Sequence, residues 1–284
     1  MKKFTRTICL LLVIAFAKAE LSYAQQEITG IAHYKSKMIM EKSDDSLQKK
    51  MQKLDPEMQK MIASALENAG KAEFTLKFSR TESLYEKVQE LAKPKPQSGM
   101  SISIEISGGG DTYGTTYKNL VDQTFIREDQ IQGKEFLIVD QIKPLDWKLT
   151  GESKKIGNYT AMKATYTFPK EEKDEQEVET SLLEMAGSDE RVITAWFTMD
   201  IPISNGPGNY QGLPGLILEL RDGNTVILCD RIEMNPADFE LEKPKKGKKI
   251  GLEDFNDLQA KKQKEMQERF QNKRSGDGVI FMKG

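Results

Sequence analysis

The sequence predicts a mainly β fold with some helix, built on one large curved antiparallel sheet that becomes a half-barrel if its edges roll towards each other. Three observations carry that reading. Apolar residues alternate with polar ones at Phe74, Leu76 and Phe78, and again at Ile102, Ile104 and Ile106. A period of two buries one face of a strand and wets the other. Asp222-Gly223-Asn224 separates two apolar runs in the manner of a tight hairpin, and helical spacing is confined to a stretch after the first strand and to the C terminus.

Taken in order, Ile28, Gly30, Ala32 and Tyr34 share one parity and begin a first strand that runs towards Met40. Leu47, Met51 and Leu54 then recur at helical spacing, and Asp55-Pro56 supplies an N-cap and a first-turn proline. Met58, Met61, Ile62, Ala65 and Leu66 continue the face until Ala69-Gly70, so this insertion is two short helices or one kinked at Pro56. Phe74 to Phe78 and the run at Leu84-Tyr85 form a hairpin across Arg80-Thr81-Glu82. Met100 to Ile106 is a strand or a mobile flap, and Gly108-Gly109-Gly110 lacks the lysine and helix that a phosphate loop needs. From Tyr117 to Phe168 short strands follow one another, clearest at Thr124 to Arg127, Phe136 to Val139 and Tyr159 to Phe168, with Gly133 and Gly157 turning the chain. Residues 171–190 hold nine acidic side chains and one lysine, an acidic insertion. Arg191 to Met199, Leu216 to Leu220 and Thr225 to Cys229 are strands. Lys243 to Lys249 reads as a basic linker, and Leu252 to Arg274 as a charged surface helix.

The first 24 residues read as a secretory leader. Lys2, Lys3 and Arg6 precede an apolar run from Ile8 to Ala17, and Ser22-Tyr23-Ala24 fits cleavage after Ala24. That run is about half the ~20 residues that a membrane-spanning helix requires, so the mature chain is expected to have no transmembrane segment and to be periplasmic or secreted. The domain organisation is then a leader at 1–24, one β-rich domain at 25–240 containing the acidic insertion, and a charged linker and helix at 241–284. Of 284 residues 42 are basic and 44 acidic. Losing Lys2, Lys3, Arg6, Lys18 and Glu20 takes the mature chain to about −5, and nothing in that balance indicates nucleic acid. With the leader goes Cys9, so Cys229 is alone and no internal disulfide is available. One histidine, His33, and one cysteine leave no metal or cofactor constellation to assign.

The unusual segment is Ile201 to Leu218, eighteen residues without a charge in a chain where 30% are charged. Three prolines and four glycines fall between Ile201 and Gly215. Pro214-Gly215 suits the centre of a type II turn, in which glycine takes a positive φ. This is either a structural crossing in which the glycines permit close packing, or a recognition loop that displays Tyr210 and Leu213. The candidate ligand or partner site is therefore Trp196, Tyr210, Gly212, Leu213, Pro214 and Gly215.

Gly212-Leu213-Pro214-Gly215-Leu216-Ile217 spells the hexapeptide of the GLPGLI family, and the chain resembles that group of exported bacterial proteins in several ordered blocks. These are Trp147 to Glu152, Lys155 to Tyr159, Lys163-Ala164, Ala195 to Thr198, and Ile201-Pro202-Ile203 through Gly206-Pro207. Ala161 departs from the pattern, since members often carry a cysteine there. The resemblance implies export and an antiparallel β fold, and brings no catalytic residues with it.

The function favoured by these readings is an exported, non-catalytic binding or carrier protein for a hydrophobic ligand or peptide. The alternative is a cell-envelope interaction protein serving an outer-membrane receptor or assembly. A hydrolase would have to recruit His33 for a serine triad, pair it with Cys229 for thiol chemistry, or use carboxylates among Asp140, Asp146, Glu152, Asp200 and Glu219.

Overall fold

The computed structural model describes residues 28–39, 55–60, 70–89, 114–168 and 191–276. The leader, most of the helical insertion, the Met100 to Ile106 run, the triple glycine and the acidic insertion lie outside the described residues. Twelve strands form one sheet: β1 Gly30–Met38, β2 Ala72–Phe78, β3 Glu82–Lys87, β4 Thr115–Asn119, β5 Thr124–Ile131, β6 Lys134–Gln141, β7 Lys148–Ile156, β8 Tyr159–Thr167, β9 Val192–Thr198, β10 Leu216–Asp222, β11 Thr225–Met234 and β12 Lys248–Ile250. Residues 56–60 are helical, with Asp55 Oδ1 accepting from the Met58 N–H as the expected N-cap. A C-terminal helix spans Leu252–Gly276. The mainly β prediction holds, and no described helix is long and apolar enough to cross a membrane.

The strand order is β12-β6-β5-β4-β3-β2-β1-β11-β10-β9-β8-β7, antiparallel throughout except for β12 against β6. The sheet does not close, yet it must be strongly bent. β6 is second in that order and β7 last, ten strand spacings away, or roughly 48 Å if the sheet were flat. Only residues 142–147 join them, a stretch that reaches at most about 25 Å. The two edges are therefore brought towards each other, and one face becomes an interior.

The register shows which side chains share that interior. Tyr34 on β1 pairs with Phe74 on β2 and Cys229 on β11; Leu76 pairs with Tyr85, and Phe78 with Ser83. Continuing outwards, Ser83 pairs with Lys118 and Lys118 with Phe125. On the other wing Leu220 pairs with Ala195, which pairs with Ala164. All of these except the polar Ser83 and Lys118 are buried apolar residues, so burial of this face supplies the main driving force for the fold. A bulge at Leu218 shifts the β9–β10 register and lets Leu216, Ile217 and Leu218 all be buried in succession.

The segment read as a basic linker contains β12, which extends the sheet beside β6. Gly247 enters it at φ 106°, where an added Cβ would lie 2.6 Å from the Phe136 backbone. The C-terminal helix is docked by its first turns. Phe255 is 1% exposed and packs edge-on to Phe136, with centroids 5.6 Å apart, beside Phe125 and Ile138. Asp140 Oδ2 accepts from the Leu252 N–H at 3.0 Å. The backbone N–H groups of Leu252 and Gln141 hold its carboxyl below the usual range.

Candidate functional site

The chain leaves β9 at Thr198, and the uncharged segment that begins at Ile201 packs apolar side chains into the main core before entering β10 at Leu216. It does not display Tyr210 and Leu213, which are 3% and 2% exposed and join Ile201 and Ile203 in the main core. The missing charges are the reason: a buried charge without a partner is expensive, and this segment fills the interior of the bent sheet. Gly212 and Pro214 remain exposed and Gly215 is buried. The turn chemistry also differs from the expectation. Gly215 does not carry a positive φ; Gly212 does, at 95°. Gly215 is required by close approach instead, since an added Cβ would sit 2.0 Å from the Thr198 carbonyl oxygen.

A loop buried in this way must satisfy its backbone. Three side chains from distant parts of the chain do so. Tyr34 OH donates to Ile217 O at 2.7 Å, and burial drives its phenol well above the ordinary range. Trp147 Nε1 donates to Gln211 O at 2.8 Å. Lys118 Nζ donates to Gly206 O at 3.2 Å and to Tyr210 O at 3.5 Å. Lys118 is wholly buried, has no carboxylate in contact among the described residues, and burial pulls its ammonium down to about 7. Within the loop, Leu216 N–H donates to Ile201 O and Ile217 N–H to Asn205 O.

From Tyr210 the aromatic contacts run as a chain. Trp147 lies 6.4 Å from Tyr210 and 5.9 Å from Tyr166, and Tyr166 lies 4.9 Å from Phe168. Arg191 stacks over Phe168 at 4.4 Å and grips Asp222 through Nε and Nη2, while Tyr210 OH donates to Asp222 Oδ2 at 3.2 Å. This ties the loop to the far end of β10.

Trp196 belongs to the other face. It pairs with Lys163 and Glu219, lies under Lys154 at 4.2 Å, and is bracketed by the Lys154–Glu219 and Lys163–Glu152 ion pairs. The structure thus groups Tyr210, Gly212, Leu213, Pro214 and Gly215 and leaves Trp196 outside the group. His33 faces outwards beside Arg231 and Glu233. Cys229 faces inwards next to Tyr34 at 8% exposure, and burial pushes its thiol up to about 12. The two side chains do not form a thiol–imidazole pair.

Beside the exposed part of the loop is a cleft of about 530 Å³. It lies at the end of the sheet where the β2–β3 turn, the β4–β5 turn and the exit from β6 meet the loop. Leu120, Ile142, Pro144, Leu145, Pro202 and Ile203 supply its apolar wall; Arg80, Gln123, Ser204 and Gln211 supply polar groups. Gly212 completes the rim, its N–H donating to Ser204 Oγ at 3.1 Å. Among these only Gly212 was a candidate from sequence. Lys118 and Gln211 were missed, although a lysine on the strand parity that pairs with Phe125 is a detectable anomaly. Trp147 was noticed only within a block of resemblance.

Residues 147–219 match the model of Porph_ging, a family described as a protein of unknown function. The span begins at Trp147 and ends on β10, so it contains the whole loop and the indole that holds Gln211. No curated protein matches the chain. Among solved structures, PNGF-II in space group C2 aligns with 83% of this chain at 12% identity and a TM-score of 0.46, and in space group P21 with 82% at the same identity and score. This chain spans 33% of the length of that protein in both cases.

Proposed function

We propose that the protein is an exported, non-catalytic binding module whose cleft beside Pro202–Ser204 and Gln211–Gly212 takes a small amphipathic ligand. The cleft itself carries the reading: its volume of about 530 Å³ falls in the range of small-ligand sites, and an apolar wall with a few polar groups is their usual composition. The interior of the sheet supports a narrower version of a carrier. Ile201, Ile203, Tyr210 and Leu213 occupy that interior, so the ligand belongs at the rim and not within the sheet. The leader-like start supports export, and the hexapeptide Gly212 to Ile217, lying inside the matched span, supports a GLPGLI-type assignment.

The test is binding of N-phenyl-1-naphthylamine, a neutral apolar fluorophore, to the chain from Gln25 onwards. Saturable binding that is lost in Ser204→Trp, which fills the cleft, is the expected result. Binding unchanged by Ser204→Trp would place the ligand elsewhere and overturn the proposal.

A further inference from the structure

The C-terminal part of the chain wraps around one edge of the sheet. Lys118 faces the loop inside, so Tyr117 beside it, and Ile126 and Glu128 across the ladder, face outwards. Residues 235–247 run over that outer face. Lys243 Nζ lies 4.9 Å over the Tyr117 ring and 3.6 Å from Glu82, and Glu128 Oε1 accepts from the N–H groups of Lys245 and Lys246. β12 then lies along the edge of β6, and Phe255 turns back onto the inner face, against Phe136 and with Arg127 over its ring. The edge so covered selects its occupant. Phe125, Phe136 and Ile138 form an apolar cluster apart from the main core, filled by Phe255 with Ile250, Leu252 and Leu258 beside it. Position 247 admits only glycine, because an added Cβ would lie 2.6 Å from the Phe136 backbone. An occupant must therefore offer a glycine, a short strand, and a helix with apolar residues three apart.

The tether of that segment is stretched. β11 and β12 stand seven strand spacings apart in the strand order, roughly 34 Å along the sheet. Residues 235–247, which join them without regular structure, extend to at most about 50 Å, whereas a relaxed linker of that length spans about 20 Å. Holding it open lowers the effective concentration at which the chain's own segment meets its own edge. The segment of a second copy need not cross the sheet to reach the same place. We propose that two copies of this chain exchange residues 248–258, each laying its strand along β6 of the other and its Phe255 into the Phe136 cluster there. A second copy satisfies the requirement for Gly247 and for the spacing of Leu252, Phe255 and Leu258 by identity. The exchange does not depend on whether the cleft binds a ligand.

The experiment is sedimentation velocity on the chain from Gln25 onwards, at concentrations from about 5 to about 300 μM. The wild-type chain is expected to form a dimer as concentration rises. Deleting residues 237–240 leaves a tether of at most about 36 Å, barely the width of the crossing, and should tighten the dimer at least about tenfold because closure within one copy is lost. Phe255→Ala, which removes the anchor of the exchanged segment, should return both chains to monomer. A wild-type chain that stays monomeric throughout would overturn the proposal. A dimer that survives Phe255→Ala is an association of surfaces and would overturn it too, as would a folded deletion variant no more dimeric than wild type. If the deletion variant fails to fold, the wild-type and Phe255→Ala chains decide between exchange and its absence by themselves.

Discussion

The Lys118 ammonium lies 3.2 Å from the carbonyl oxygen of Gly206, 88 residues further along the chain, and both are buried. Sheet and plug meet here. The loop can afford no charge of its own, and β4 provides the donor that two of its carbonyls need.

That contact makes stability depend on pH. Burial lowers the Lys118 ammonium to about 7 in the folded protein, against an ordinary value of 10.5. Between these values the unfolded chain binds more protons than the folded one, so stability rises with pH; below 7 both states are protonated and the cost of burying the charge is fully present. The contribution between pH 6 and 9 is roughly 2–3 kcal/mol. Urea denaturation at both pH values should show this rise in the wild-type chain. Lys118→Met, which keeps the packing and removes the charge, should lose it. A slope that persists in Lys118→Met would assign the effect to other groups.

Two glycines in the hexapeptide should respond differently to alanine. Gly215→Ala drives a Cβ against the Thr198 backbone, which cannot yield as a side chain would. A loss of about 3 kcal/mol or more is expected. Gly212→Ala meets Trp147 only at 3.7 Å, so it incurs just the positive-φ strain, about 1–2 kcal/mol. Urea midpoints rank the two, and equal losses would contradict the close-approach account.

Much of the sheet was legible because strand parity and tight turns are local signals. Phe74, Leu76 and Phe78 alternate as a one-faced strand should, and Gly223-Asn224 joins β10 to β11 as the hairpin pattern requires. The loop was legible as rigid and uncharged, but whether it faced solvent was not. The backbone carbonyls of Gly206, Tyr210, Gln211 and Ile217 accept from Lys118, Trp147 and Tyr34, partners that only the bending of the sheet brings near. β12 was missed for a related reason: Lys248 and Lys249 carry no apolar alternation, and their pairing with β6 is made by backbone groups.

The C-terminal helix should be held by one residue. Phe255 is buried against Phe136, with Arg127 over its ring at 5.9 Å, whereas Met266 further along is 47% exposed. Removing a buried phenylalanine costs about 3–5 kcal/mol, and here the loss falls on a terminal element able to detach alone. Phe255→Ala should speed tryptic cleavage near Lys248 and Lys249 roughly a hundredfold while leaving the rest of the sheet intact. Met266→Ala should cleave at the wild-type rate. Equal rates in all three would mean that Phe255 does not anchor the helix.

Cys229 should behave as a small core residue. Its thiol is buried, is pushed up to about 12 chiefly by that burial, and donates weakly to Arg231 O at 3.6 Å. Reaction with a disulfide reagent needs the thiolate and access to it. In the chain from Gln25 onwards, 5,5′-dithiobis(2-nitrobenzoate) at pH 8 should release no chromophore from the folded protein and one equivalent once urea unfolds it. The same shift sets a second pH limit. Between the ordinary thiol value of 9.0 and about 12 the unfolded chain loses this proton first, so the Cys229 contribution to stability falls as pH rises through that interval. Cys229→Ala, whose smaller side chain leaves only a slight void beside Tyr34, should be less stable than wild type at pH 8 and close part of that gap by pH 10. Rapid labelling of the folded chain would show instead that β11 opens readily and that the inner face is not sealed at this strand.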